Sequence, residues 1–242
     1  MSKTDRKKVP KETRGHKLVN KLGPAINKIK HPSRIIITGR STLGKTTLAQ
    51  DILLKRIMHQ VRQCFAVCPT FNVQPQLATL RNIPGAFPKE HVFTNVDDGV
   101  FRGIHQILKR QRYSVPTLLF VDDAAGEHAT NKGNKGAFAN LCLASPHLNL
   151  TIIGVFQRLA CCSPALRDNA ESLISFVPSM TADLKRLYEE YNPCVTDPDS
   201  KNILLKVLKL CWKKSRFAFI HRENRDPNVQ YYSGFDERVK IT

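Results

Sequence analysis

Apolar residues in this sequence form short β-branched runs that alternate with segments of helical spacing. Helical spacing predicts helices at 45–63, 100–112 and 137–144. The alternation indicates an α/β fold, with a mostly parallel central sheet covered by helices on both faces. The runs predicted as buried strands are 34–39, 64–70, 91–96, 117–123, 149–157 and 172–178.

The pattern changes after residue 180. Residues 181–191 and 203–212 have helical spacing, whereas RFAFIHR (216–222) and VQYYSG (229–234) are typical of a hairpin. The hydrophobic pattern therefore predicts a core followed by a C-terminal extension that packs on it. The expected units are a basic flexible arm over 1–30, the core over 31–180, and the helices and hairpin over 181–242.

Length and composition narrow the class of protein. The chain has 242 residues, of which 41% are hydrophobic, so it can bury a sizeable core. No stretch approaches the roughly 18 uninterrupted apolar residues of a membrane-spanning helix. The first thirty residues contain no apolar segment of the kind that secretory signals carry. We therefore expect an intracellular protein that is neither membrane-spanning nor secreted.

The charge of the chain points to a polyanionic partner. Lys+Arg 38 against Asp+Glu 20 gives a net charge of +18, which favours nucleic acid through phosphate neutralisation. Residues 1–30 hold ten Lys or Arg and two acidic residues, so this arm carries +8 of the excess. The arm is typical of a nucleic-acid-binding or nuclear-localisation segment. A solubilising tail and a merely solvated basic surface are the alternatives.

The segment GRSTLGKT (39–46) matches the phosphate-binding pattern G-x-x-x-x-G-K-T, between a predicted strand and a predicted helix. Glycines at this spacing let backbone N–H groups point at phosphate oxygens, and the following helix adds its dipole. Lys45 is expected to reach the β- and γ-phosphates, and the Thr46 hydroxyl to ligate Mg²⁺. The candidate ATP-binding residues are Gly39, Arg40, Ser41, Thr42, Leu43, Gly44, Lys45, Thr46 and Thr47.

The run LLFVDD (118–123) places two carboxylates at the tip of an apolar strand. We assign Asp122 to the Mg²⁺ site and Asp123 to activation of the attacking water. Most hydrolysing P-loop motors have glutamate at the second position, and aspartate has a shorter reach. The alternative is a structural role for the Asp-Asp pair, in a turn or as a helix cap.

The chain between the two motifs leaves room for an additional strand, and residues 64–70 are a candidate for it. An inserted strand is typical of hydrolysing ATPases that use an extra catalytic acid, and it argues against nucleotide kinases and GTPases. The guanine-recognition pattern N-K-x-D does not occur in the sequence. These observations favour ATP over GTP as the substrate.

Two further side chains are candidate catalytic residues. Gln157 ends the fifth predicted strand, where it can sense the γ-phosphate or orient water. Arg167 lies in LRDNA (166–170) and can act as a finger on a neighbouring subunit's nucleotide, which requires a ring. A strand-end glutamine without a role, and a structural ion pair of Arg167 with Asp168, remain alternatives. Arg40 can act on the γ-phosphate in cis or point outward.

GRSTLGKTT, LLFVDD, VFQ and LRDNA occur in the order seen in the FtsK/HerA superfamily. Over residues 30–180 the chain most closely resembles its poxvirus-type branch of viral DNA-packaging ATPases, which occur in large DNA viruses, virophages and virus-like transposons. The resemblance implies a RecA-like (ASCE) core that uses ATP and Mg²⁺. It also implies a homo-oligomeric ring, pentameric or hexameric, that moves double-stranded DNA into a capsid in the host cytoplasm or nucleus, with capsid or portal proteins as partners.

The resemblance also implies roles by position. Lys45 and Thr46 belong to the Walker A motif, and Asp122 and Asp123 are the Walker B acids. Gln157 is the sensor, and Arg167 lies in the family's Arg-x-Asn stretch. No motif of the family extends to the basic arm or to residues 185–242.

Two other functions are compatible with these motifs. An AAA+ or superfamily-3 replication helicase would need an all-helical lid or an origin-binding domain, for which residues 1–30 are too short. A slow nucleotide-gated switch that binds nucleic acid is favoured only by aspartate at position 123.

The cysteines and histidines do not predict a zinc site. Zinc-site spacing is absent from Cys64, Cys68, Cys161 and Cys162 and from the eight histidines, so we expect these cysteines to be core or surface thiols.

Overall fold

One nine-stranded mixed sheet runs through the residues that the computed structural model describes, which are 23–122, 135–192, 200–222 and 229–239. The strand order is β3-β2-β4-β5-β1-β6-β7-β8-β9. Strands β1 to β6 pair in parallel, and β7 to β9 continue the sheet in antiparallel pairs. The strands are β1 (Arg34–Thr38), β2 (Gln63–Val67), β3 (Val92–Phe93), β4 (Thr117–Asp122), β5 (Leu150–Phe156), β6 (Ser172–Phe176), β7 (Phe217–Arg222), β8 (Val229–Ser233) and β9 (Glu237–Val239).

Helices connect the parallel strands and continue beyond them. A π-helical segment, Leu53–Ile57, extends the first helix, and 3₁₀ turns lie at Pro24–Lys28, Pro75–Leu77, Lys89–His91 and Leu159–Cys161. The α-helices are α1 (Lys45–Ile52), α2 (Ala78–Arg81), α3 (Asp98–Arg110), α4 (Ala137–Ala144), α5 (Pro164–Asn169), α6 (Thr181–Tyr191) and α7 (Ser200–Ser215).

Each face of the sheet buries its own apolar layer. Because side chains alternate along a strand, Ile36 packs with the residues of α3 to α7 on one face. Ile35 and Ile37 pack on the other face with α1 and the segment around Ile26 and Ile29. Helices therefore cover both faces of a mostly parallel sheet, which confirms the predicted α/β fold.

The prediction that residues 64–70 form the strand inserted between the two motif strands is wrong. β5, not β2, lies between β1 and β4, and β2 lies on the far side of β4. The helical crossovers of a parallel sheet can pass over several strands, so order along the chain does not fix order in the sheet. β5 is buried along its whole length and pairs with β1 and β4, so it takes the central position.

The C-terminal hairpin does not form a separate layer on the core. β7 pairs with β6 along its length, from Ser172 opposite His221 to Phe176 opposite Phe217, and β9 adds a short strand that the sequence pattern did not predict. At the other end, residues 23–30 differ from the arm expected there: Ala25 and Ile29 are buried, and the Ala25 amide donates to the Phe235 carbonyl. Residues 1–22 of the predicted arm lie outside the described residues.

Candidate active site

The loop between β1 and α1 adopts backbone conformations that its glycines permit. Gly39 has φ 145° and Gly44 has φ 91°, both in the region that glycine adopts without strain. A Cβ on Gly39 would lie 2.5 Å from the Cβ of Phe176, so the loop also passes too close to β6 for a larger residue. The backbone angle therefore favours glycine at both positions, and lack of space excludes a larger residue at Gly39.

Lys45 lies at the start of α1 with 8% of its surface exposed. Its Nζ donates a hydrogen bond of 2.7 Å to the carbonyl oxygen of Arg40, so the side chain lies back along the loop. The Arg40 side chain is exposed, and its backbone amide lies 3.5 Å from the Val177 carbonyl oxygen. The predicted lysine thus lies within the candidate phosphate-binding loop, where an anion would meet its ammonium group.

Thr46 and Asp122 bring two oxygen ligands together. The Thr46 hydroxyl donates a hydrogen bond of 3.0 Å to Oδ2 of Asp122, although the residues are 76 positions apart. Asp122 ends β4 and is only 3% exposed. A buried carboxylate beside a hydroxyl at a phosphate loop suits the hard cation Mg²⁺, so the donor set fits the predicted ion. Asp123 lies outside the described residues.

Gln157 lies at the same edge of the sheet. Phe156 is opposite Thr38 of β1, and Val155 is opposite Asp122 of β4. Gln157 follows directly and is exposed, between the carboxyl ends of the two motif strands. Because the carboxyl ends of parallel strands meet at one edge, the register brings Gln157 beside the loop and Asp122.

Arg167 differs from the finger predicted for it. Its guanidinium pairs with Glu190 of α6 at 3.0 Å and donates to the Cys162 carbonyl oxygen, and the residue is only 6% exposed. The ion-pair partner is Glu190, not the neighbouring Asp168 considered from the sequence. A guanidinium that is buried and held by its own subunit is not presented to a neighbour, so this geometry contradicts the finger assignment.

Asp183 is a buried carboxylate that the sequence analysis did not single out. It is 2% exposed, and its Oδ1 accepts a hydrogen bond of 3.2 Å from the Ala160 amide. Its Oδ2 lies 3.7 Å from Nε of Arg158, the residue that follows Gln157. Asp183 therefore holds the segment that leads away from Gln157. The sequence does show that Asp183 is an acidic residue in the first turn of a predicted helix, but this position does not reveal that Arg158 and the Ala160 amide are its partners.

Five of the six described cysteines are buried, and Cys161 is partly exposed. Burial raises the pKa of Cys64 to about 12 and that of Cys211 to about 11, and it also raises the pKa of Cys142 and Cys162. A buried thiol with a raised pKa is neutral at pH 7 and is a poor nucleophile and metal ligand. Within the described ranges, no group of three or more His, Cys, Asp or Glu side chains could hold a metal ion.

Solved structures of other proteins have a fold similar to this one. The DNA-packaging ATPase B204 of Sulfolobus turreted icosahedral virus superposes with a TM-score of 0.60 at 15% identity, over 84% of this chain and 98% of that one. The chain has the fold of a P-loop ATPase. The resemblance to viral DNA-packaging ATPases that the motifs suggested is thus confirmed in the fold.

Two further structures share this P-loop ATPase fold. The genome packaging NTPase B204 of Sulfolobus turreted icosahedral virus 2, in complex with AMPPCP, gives a TM-score of 0.59 at 18% identity, over 84% of this chain and 98% of that one. The cytoplasmic domain of EssC gives 0.50 at 15% identity, over 69% of this chain and 37% of that one. No protein-family model and no curated protein sequence matches the chain.

Among the described residues, no helix is long and apolar enough to cross a bilayer.

Proposed function

We propose that the chain is an ATP-hydrolysing motor that moves double-stranded DNA into a viral capsid. The contact between Thr46 and Asp122 beside Lys45 carries the nucleotide part of this proposal, because it combines a phosphate loop with a magnesium-type ligand pair. The DNA part is supported by the fold shared with proteins described as genome-packaging and DNA-packaging ATPases. Coupling of hydrolysis to DNA movement is our inference from these two observations together.

Each residue of the loop edge has a task in hydrolysis. The loop amides and Lys45 hold the phosphates of ATP, and Lys45 exchanges its bond to the Arg40 carbonyl for phosphate oxygens. Thr46 and Asp122 would hold Mg²⁺, which supplies charge neutralisation at the phosphates. We further propose that Asp123 activates the attacking water and that Gln157 senses the γ-phosphate.

The charge of the protein supports DNA as the partner. The net charge of +18 favours a polyanion, and the segment 1–22 contributes eight Lys or Arg residues against Asp5 and Glu12. We propose that the motor acts as a homo-oligomeric ring in the infected cell and docks on capsid or portal proteins. In such a ring, a residue other than Arg167 would serve as the finger, because Glu190 holds Arg167.

The C-terminal region argues against a helicase of the AAA+ type. Among the described residues after β6, α6 and α7 are followed by three antiparallel strands that continue the main sheet. An AAA+ ATPase would have an all-helical lid there. The three strands instead make the C-terminal region part of the same sheet that carries the candidate nucleotide loop.

Steady-state ATP hydrolysis, with and without long double-stranded DNA, tests the proposal. We expect Mg²⁺-dependent hydrolysis that DNA stimulates several-fold, and hydrolysis that falls by about 10²- to 10³-fold in a Lys45→Ala variant of normal thermal stability. Native mass spectrometry with ATP and DNA should then detect a closed ring. Hydrolysis indifferent to DNA, also after ring assembly, would favour the nucleotide-gated switch, and absence of ATP binding would refute the nucleotide part.

A further inference from the structure

The loop after β6 exposes apolar surface beside the phosphate-binding loop. Val177 is 39% exposed and Met180 is 52% exposed, although β6 itself is buried along its length. Both residues lie in a four-residue connection to α6, so the apolar surface is concentrated in one place. The large apolar side chains exposed among the described residues are Val73, Leu143, Val177, Met180 and Leu210.

Val177 is close to the loop that holds the phosphates. Its carbonyl oxygen lies 3.5 Å from the Arg40 amide, and the preceding Phe176 lies against Gly39. A ligand held by the loop would therefore have exposed apolar side chains next to it on the β6 side. Apolar surface with a few polar groups is the usual lining of a small-molecule site.

Arg216 adds a positively charged group at the same position in the sheet. Phe217 is paired with Phe176, so Arg216 lies at the level of Val177 across the antiparallel strands. The Arg216 amide donates to the Trp212 carbonyl at 3.1 Å, and the Trp212 indole donates to the Ser175 carbonyl at 2.8 Å. These bonds hold the Arg216 backbone against β6.

The Arg216 side chain is exposed and available for a ligand. Within the described part of the chain its guanidinium forms no ion pair, whereas the nearby Lys214 pairs with Glu237. A planar guanidinium without a carboxylate partner can stack on an aromatic ring, which a lysine ammonium cannot do.

The positions of Thr46 and Asp122 decide which way a nucleotide would point. Asp122 belongs to β4, which lies on one side of β1, and β6 lies on the other side. A magnesium-type ligand pair holds the β- and γ-phosphate end of a nucleotide. The side of the loop away from this ligand pair is the side of β6 and β7, where Val177 and Arg216 lie.

We propose that Val177, Met180 and Arg216 form the nucleoside subsite of the ATPase. The apolar side chains contact the purine base, and the Arg216 guanidinium stacks on it. This inference rests on the proposed function, since it assumes that the loop binds ATP. It adds the residues that bind the part of the substrate distant from the reacting phosphate, none of which belongs to the phosphate-binding loop.

Binding of two probes to the full chain separates this role from a general electrostatic effect. The probes are ATP and inorganic tripolyphosphate, which lacks the nucleoside, each titrated with Mg²⁺ into the parent protein and an Arg216→Ala variant. We expect ATP affinity to fall about five- to tenfold in the variant while tripolyphosphate affinity stays unchanged. Lys209→Ala, an exposed cation on α7, the helix that ends one residue before Arg216, is the matched control and should change neither.

A second variant tests the apolar part. Val177→Ser keeps the backbone carbonyl beside Arg40 and should weaken ATP binding about threefold, again without affecting tripolyphosphate. Unchanged ATP affinity in both variants would overturn the inference, as would an equal loss for the two probes in Arg216→Ala, which would place Arg216 on the phosphates. Failure of the parent protein to bind ATP would instead refute the proposed function, so the two failures are distinguishable.

Discussion

The Thr46 hydroxyl lies 3.0 Å from Oδ2 of Asp122, joining the first turn of α1 to the tip of β4. β5 lies between β1 and β4, so the contact spans two strand spacings at the carboxyl edge of the sheet. Such a contact requires the helix after the loop and the acidic strand to be fixed relative to each other. The two predicted magnesium ligands therefore already contact each other through this hydrogen bond.

Removal of the Thr46 hydroxyl should weaken Mg²⁺ binding specifically. In Thr46→Ala, we expect the Mg²⁺ concentration that supports half-maximal ATP hydrolysis to rise about tenfold or more, because one oxygen ligand is lost. Thr46→Ser retains the hydroxyl and should behave as the parent protein. Magnesium titrations at saturating ATP measure the effect, and an unchanged requirement in Thr46→Ala would remove Thr46 from the ion site.

Lys45 should be required for hydrolysis and not for folding. Lys45→Ala removes the ammonium that would contact the phosphates, and we expect turnover to fall by about 10²- to 10³-fold. Lys55→Ala is the control. Lys55 lies in the π-helical segment that follows α1 and pairs with Asp51 at the surface, so we expect this variant to keep the turnover and stability of the parent protein. Turnover and thermal unfolding of both variants measure this, and normal turnover in Lys45→Ala would contradict the site assignment.

Arg167 should contribute to stability and not to catalysis in trans. Its side chain is 7% exposed and its guanidinium pairs with Glu190, so Arg167→Ala leaves a largely buried carboxylate without its nearest partner. We expect the free energy of unfolding to decrease by about 3 kcal/mol, while ATP turnover per folded molecule remains close to that of the parent protein.

Arg186 provides a matched control for this pair. It also contacts Glu190, at 3.8 Å, but its side chain is 40% exposed, so Arg186→Ala should cost less than about 1 kcal/mol. Chemical denaturation of the two variants gives the comparison. A stable Arg167→Ala protein whose turnover fell by about 10³-fold would support the finger after all.

Local patterns predicted the parts of the site that are close in sequence. The loop from Gly39 to Thr46 follows an apolar run and precedes a helix, and each of these elements is encoded by adjacent residues. The position of Asp122 at a strand end also follows from its own run. For these residues the sequence is sufficient, because backbone angles and strand burial depend on residues only a few positions apart.

Long-range pairing could not be predicted in the same way. β5 and β2 have similar apolar sequences, and only the crossover path puts β5 between β1 and β4. The same holds for Arg167, whose partner Glu190 lies 23 positions away on another helix while Asp168 is adjacent. Spacing along the chain favours near neighbours, whereas burial selects the partner that satisfies the guanidinium in three dimensions.

His31 should make folding stability depend on pH below neutrality. Burial lowers the pKa of His31, and the hydrogen bond to Asn149 opposes this only in part. The ring contacts the Thr151 hydroxyl through Nδ1 and Oδ1 of Asn149 through Nε2, each at 2.8 Å. Because Oδ1 of Asn149 can only accept, Nε2 donates to it, and Nδ1 of the neutral ring then accepts from the Thr151 hydroxyl, so the neutral ring fits this network.

The sign of the effect follows from proton binding. Below about pH 6.5 the unfolded chain binds a proton at His31 that the folded chain binds less readily, so stability is lost as pH falls toward the lower folded pKa. Above that range both states are neutral and His31 contributes no pH dependence. Denaturation of the parent protein and of His31→Gln at pH 7.5, 6.5 and 5.5 measures this. We expect the parent to lose more stability between pH 6.5 and 5.5 than the variant, and parallel losses would show that the ring is protonated equally in both states.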